Sequence, residues 1–271
     1  MSTNEALLVP RRTRGWRMGL NSMLSKELAA WWKTRRWWVQ CLVALLLLNG
    51  GLAMNLHGSR GTPNAIDNAT MAFMVTAALF VPVAAVSLAQ DTILGEKHSG
   101  TAAWVLSKPL RRPAYLLSKL IAHGLGLFVA WVALPAVVVY LQLLEPANGY
   151  FTPLRIAGVM GLDYLNLLFF LTLALMLATF FNGRGPVLGI SLVLAWAGPM
   201  PFISTPIQKY APWLYDVLPW KMLIDFNTNQ PLSVYLANGR PLPTVTPIIA
   251  TALWCVLFTA VAIWRMSREE F

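Results

Sequence analysis

Gly95-Glu96-Lys97-His98-Ser99-Gly100-Thr101 has the glycine spacing of a phosphate-binding loop, so nucleotide chemistry is the first to test. In such a loop a lysine follows the second glycine and reaches the terminal phosphates. Here Thr101 takes that place. The loop should also follow a buried β-strand, and an apolar helical run precedes it instead. The stretch fails on mechanism, and no enzyme chemistry is expected of this chain. The three histidines, His57, His98 and His123, form no metal-binding pair at i, i+4, and none follows a Glu in the zinc-protease pattern. His123 reads as a packing residue. Gly-x-Ser-x-Gly nucleophile elbows are missing. Cys41 and Cys255 fall inside apolar runs without metal-ligand spacing. One carboxylate, Asp163, falls inside an apolar run, where a charge costs about 2.5–3.5 kcal/mol at mid-membrane. Asp163 and Asn166 are therefore candidate polar residues of a substrate path. The competing reading is a hydrogen bond to a neighbouring helix made by Asp163 together with Tyr164 or Asn166.

These residues are carried by elements that composition makes plain. Of 271 residues, 57% are hydrophobic and 12% charged, against roughly 25% charged in a soluble domain. The fold class is an all-α membrane protein. Six spans are expected, at about 37–56, 70–89, 115–144, 156–181, 186–202 and 247–264, forming one transmembrane domain over 37–264. Residues 1–36 would be a basic N-terminus and an amphipathic helix, and 265–271 a short tail. Leu20, Met23, Leu24, Leu28, Trp31 and Trp32 recur at helical spacing, with Lys26 and Lys33 on the other face, as in an interfacial helix. Pro82 should kink the second span. Residues 212–223 are too short and interrupted to span and read as a re-entrant or interfacial piece. The turn Asn182-Gly183-Arg184-Gly185-Pro186 makes the fourth and fifth spans antiparallel neighbours.

The formal net charge of +10 suggests nucleic acid in a soluble protein. No nucleic-acid module is present, and the charge follows the spans instead. Sixteen Lys and Arg fall on the side of the termini and five on the other: Arg60, Arg155, Lys209, Lys221 and Arg240. That asymmetry places both termini in the cytoplasm. The expected location is a cell membrane, multi-pass, in a bacterial inner membrane.

Residues 91–119 form the main connection on the basic side. Within them, 101–107 can make about two helical turns, bounded by Gly100 and Pro109. Ala102, Ala103, Trp104, Val105 and Leu106 leave this helix apolar nearly all round, so it needs a cover. Gly95-Glu96, Gly100-Thr101, Leu106-Ser107-Lys108-Pro109-Leu110, Arg112 and Ser118-Lys119 resemble the signature of type-2 ATP-binding-cassette (ABC) transporter permeases. The match covers roughly thirty residues and departs where Ala102, Ala103 and Trp104 replace the acidic and Leu residues frequent there. The resemblance implies an N-terminal elbow helix and a coupling helix between spans two and three. It implies ATPase-coupling residues at Glu96, Gly100, Thr101, Ala102, Ala103, Trp104, Val105, Leu106, Ser107 and Arg112. It further implies a separate cytoplasmic ABC ATPase that binds ATP and Mg, a second permease copy (homodimer or heterodimer), and export rather than import. The chain itself would hold no cofactor and no metal. The alternative is a membrane anchor or assembly subunit that transports nothing and recruits a cytoplasmic partner. The sequence names no substrate.

Overall fold

A computed structural model describes residues 15, 17–59, 65–107, 110–144, 146, 152–224 and 231–268. The basic N-terminus with Arg11, Arg12 and Arg14, the residues Arg60, Lys108 and Pro109, and the last residues Glu269, Glu270 and Phe271 lie outside them. Among the described residues every regular element is helical.

α1 (Leu20–Trp32) precedes five helices long and apolar enough to cross a membrane: α2 (Arg36–Gly58), α3 (Ala65–His98), α5 (Arg112–Leu144), α6 (Pro153–Phe180) and α12 (Thr246–Arg268). α4 (Thr101–Leu106) joins α3 to α5. A sixth crossing exists only if α7 (Arg184–Ala197) and α8 (Pro201–Tyr210) are one broken span, since they meet at 75°. The fifth span expected at 186–202 is thus a bent pair. The break lies at Gly198-Pro199-Met200, where Pro199 cannot donate to the helix ladder. α9 (Pro212–Val217), α10 (Trp220–Leu223) and α11 (Leu232–Ala237) fill the stretch before α12 with short pieces.

The expected boundaries were short at both ends of α3. The helix runs on through Pro82 unbroken and past 89 to His98. Asp91 to Glu96 are therefore helical and not part of a loop, with Asp91 paired to Arg184 and Glu96 to Lys119. α6 begins where Thr152 accepts a hydrogen bond from the Arg155 amide and Pro153 opens the first turn. It is the most buried span and packs against α3, α12, α11 and α7, so the bundle is built around it.

Two spans carry π-helical segments, Leu45–Asn49 in α2 and Phe128–Ala133 in α5, and the two helices are stapled across them. The Trp131 indole donates to Gln40 (2.8 Å), the Asn49 amide to the Pro135 carbonyl (3.1 Å), and the Gln142 amide to the Asn49 carbonyl (3.3 Å). Irregular backbone is tolerated at membrane depth when neighbouring groups satisfy it. Near the break of α7, Trp220 does the same. Its ring lies where a Cβ on Gly198 would sit, and its N–H donates to the Leu194 carbonyl at 2.8 Å.

Candidate functional site

At the basic end of the bundle, α3 stops at His98 and Gly100 turns the chain with φ +67°, a conformation that favours glycine. The Ser99 and Thr101 hydroxyls bond to each other, and Ser107 donates back to the Trp104 carbonyl at 2.7 Å. Between these turns runs α4, with Ala102, Ala103 and Leu106 in its sequence. Val105 is buried against the bundle, while Trp104 is 61% exposed. A groove of about 520 Å³ separates α4 from α1, lined by Ser22, Met23, Lys26, Trp104 and Val105. The helix expected at 100–107 is present, and its one large described outward group is Trp104.

α1 is fastened to the bundle at three points. At its start, Gly19 has φ +83°, and a Cβ there would stand 2.5 Å from Leu110 Cδ1; the Arg111 amide donates to the Met18 carbonyl at 3.2 Å. At its end, the buried Trp31 ring lies flat on Gly126 of α5, where a Cβ would come within 2.1 Å of it. Between them is an ion cluster. The Lys119 ammonium of α5 is 1% exposed and stands 3.0 Å from Glu27 Oε1 of α1 and 2.9 Å from Glu96 Oε1 of α3. Tyr115 donates to the other Glu96 oxygen, and Lys26 lies 3.8 Å from Glu96. One buried cation therefore ties three helices, and with two carboxylates its charge is met. Sequence reasoning singled out Glu96 and named Lys119 only as part of a motif. It missed Glu27 and Tyr115, because the pairing of Glu27 with Lys119 spans 92 positions.

The remaining expected coupling residues divide between inside and outside. Arg112 donates to the carbonyls of Met266 (2.9 Å) and Ser267 (2.7 Å), satisfying the open end of α12. Glu96 points into the cluster. α3 is clamped to the turn between α6 and α7: Lys97 donates to the Thr179 carbonyl (3.3 Å), His98 to the Asn182 carbonyl (2.9 Å), and Asp91 pairs with Arg184 at 2.8 Å.

Asp163 and Asn166 lie away from this end. Asp163 is 2% exposed and Asn166 is also buried, both on α6. Neither carboxylate oxygen of Asp163 has a hydrogen-bond partner, so Asp163 does not make the hydrogen bond expected to a neighbouring helix. Tyr164 instead packs edge-on against Phe128 at 4.9 Å. A buried acceptor without a partner costs stability. Replacing Asp163 with leucine, of similar volume, is expected to stabilise the purified chain by about 1–3 kcal/mol, read as a higher thermal midpoint in detergent. A lower midpoint would mean that the carboxylate contributes to the fold.

Among the described residues no group of three or more His, Cys, Asp or Glu could hold a metal ion.

Fold and site together define a multi-pass α-helical membrane protein with a packed helical module on its basic end. The family described as ABC-2 family transporter protein matches residues 22–271. The chain belongs to that family. It is 27% identical over 259 residues to "Probable ABC transporter permease protein NosY" of Pseudomonas aeruginosa, covering 88% of this chain and 90% of the relative. It is 26% identical over 214 residues to the protein of the same name from Stutzerimonas stutzeri, covering 72% and 76%.

Proposed function

We propose that this chain is the membrane-spanning subunit of an ABC exporter, with both termini cytoplasmic. A separate ATPase supplies the power by binding ATP and Mg, and a second permease copy completes the channel. The reading rests on family membership, on the permease names of both relatives, and above all on one observation. α4 presents Trp104 outward on a short helix whose supports converge on Lys119. In this reading α4 is the coupling helix and α1 the elbow helix. Closure of the ATPase dimer carries α4 with it, and α3 and α5 tilt as rigid bodies. Such a movement is driven by differential contacts with the two ATPase states. Asp163 and Asn166 would be the polar residues met by substrate inside the bundle.

The test is purification of the chain from its native membrane in mild detergent, with the masses of its companions determined. A stoichiometric ATPase is expected, and Trp104→Glu should strip it off while leaving the chain in the membrane. Charge placed on an exposed aromatic at an interface core typically costs at least about 2 kcal/mol, or thirtyfold in affinity. If the wild-type chain emerges alone or with a protein that binds no nucleotide, the anchor reading replaces this one. Gly100→Pro separates the two functions further. Proline cannot adopt φ +67°, so ATP hydrolysis should no longer drive transport while insertion persists.

A further inference from the structure

The turn between α1 and α2 carries three cations, Lys33, Arg35 and Arg36. Thr34 sets its shape: the hydroxyl donates to the Ala30 carbonyl at 2.7 Å and accepts from the Arg36 amide at 3.4 Å. All of these side chains are exposed. So are Trp32, Trp37 and Trp38, which flank the turn, with the Trp32 and Trp37 rings 6.0 Å apart. Trp31 turns inward onto Gly126 and holds the turn at the edge of the bundle.

The charges around this turn are unevenly matched. Among the described residues the carboxylates at the basic end are Glu27, Asp91 and Glu96. Lys119 and Lys26 meet Glu27 and Glu96, and that set is neutral. Asp91 is paired with Arg184. Other cations at this end have partners of another kind. Lys97 and Arg112 donate to backbone carbonyls, while Arg265 and Arg268 lie over the rings of Phe180 and Trp264. Among the described residues no carboxylate pairs with Lys33, Arg35 or Arg36. The first turn of α2 contains no acidic residue either, and the positive end of that helix adds to the same sign.

We infer that the α1–α2 turn is a binding site for a phospholipid of net negative charge. Its phosphate is met by Lys33, Arg35 and Arg36, and its glycerol and upper chains lie against Trp32, Trp37 and Trp38. Indole rings favour head-group depth, which sets the three cations level with lipid phosphates. An acidic protein segment would match the charge but would leave three indoles at the end of a membrane-crossing helix facing water. A zwitterionic lipid brings its own cation beside the phosphate and gains little from three more. Phosphatidylglycerol should therefore be preferred over phosphatidylethanolamine. The inference goes beyond the permease reading and does not rest on it, since it needs only that α2 crosses a membrane.

The experiment uses the purified full chain, stripped of lipid in detergent and checked for folding by its melting curve. Phosphatidylglycerol or phosphatidylethanolamine is titrated in, and bound lipids are counted by native mass spectrometry. The wild-type chain is expected to bind phosphatidylglycerol more tightly. Lys33→Gln, Arg35→Gln and Arg36→Gln together should weaken that binding about a hundredfold and abolish the preference. A charge-matched control, Arg111→Gln with Arg265→Gln and Arg268→Gln, removes as many cations from the same end and should leave binding close to wild type. Equal binding of the two lipids by the wild-type chain, which needs no variant to fold, would overturn the proposal. Equal losses in the two triple variants would also overturn it, by showing a diffuse field in place of a site. Displacement of phosphatidylglycerol by soluble glycerol phosphate would show a free-phosphate site and overturn the lipid assignment. If the Lys33, Arg35 and Arg36 changes release a copurifying protein and leave lipid binding intact, the turn is a protein contact and the proposal fails.

Discussion

Replacing Lys119 with alanine is expected to cost about 3–5 kcal/mol, because Glu27 and Glu96 are then left facing each other with no buried cation between them. The loss should appear as a lower thermal midpoint of the purified chain. It should also appear as faster amide exchange in α1, whose middle anchor is this ion cluster. Exchange confined to α1 and the ends of α3 and α5 would locate the damage. An unchanged midpoint would show that the cluster relaxes without cost and that the three helices are held by apolar packing alone.

A second variant separates stability from transmission. A buried ion pair replaced as a whole by apolar groups is often neutral or stabilising. Changing Lys119 to Met, Glu27 and Glu96 to Leu, and Tyr115 to Phe removes every member but the exposed Lys26, including the hydroxyl that donates to Glu96. This chain should melt near the wild-type temperature. On the proposed permease reading, if the cluster's role is to keep α1, α3 and α5 moving as one piece, transport coupled to ATP hydrolysis should still fall. Apolar contacts slide more readily than a directional set of charge-assisted hydrogen bonds. Full coupling in the quadruple variant would reduce the cluster to a structural staple.

The long spans were legible in the sequence because twenty or so apolar residues have few other uses, and the short helix at 100–107 because Gly100 and Pro109 bracket it. What could not be read locally were the partners. Residues 91–98 look polar enough for a loop, yet Asp91, Glu96, Lys97 and His98 each find a partner on another element, and the helix therefore continues. Arg112 belongs to the resembled signature, but its guanidinium turns to the end of α12, some 154 residues away in sequence. Asp163 was visible as a costly charge, whereas its lack of a partner is a property of the packed bundle. The break in the fifth span was written in Gly198-Pro199-Met200-Pro201. The filling of that break by Trp220 was not, because nothing local marks which of the chain's many tryptophans would turn inward.

Gly126 should prove the least replaceable small residue in α5, for a reason that can be tested by removing its neighbour. Small residues let membrane helices approach closely, and here the approaching group is the rigid Trp31 ring. A Cβ at Gly126 would lie 2.1–2.5 Å from three of its atoms. Gly126→Ala must therefore push Trp31 and the C-terminal turn of α1 outward, at about 1–3 kcal/mol for overpacking. Trp31→Ala alone should cost about 3–5 kcal/mol through the cavity it leaves. Combined, the two should cost much less than their sum, since the added methyl then enters space the indole has vacated. Thermal midpoints of the two single variants and the double variant measure the interaction directly. Additive losses would mean that Gly126 and Trp31 do not share a contact. A coupling of about 1 kcal/mol or more would fix α1 against α5 in the membrane-embedded protein, and with it the position of the ion cluster one and a half to two helical turns toward the basic end of α5.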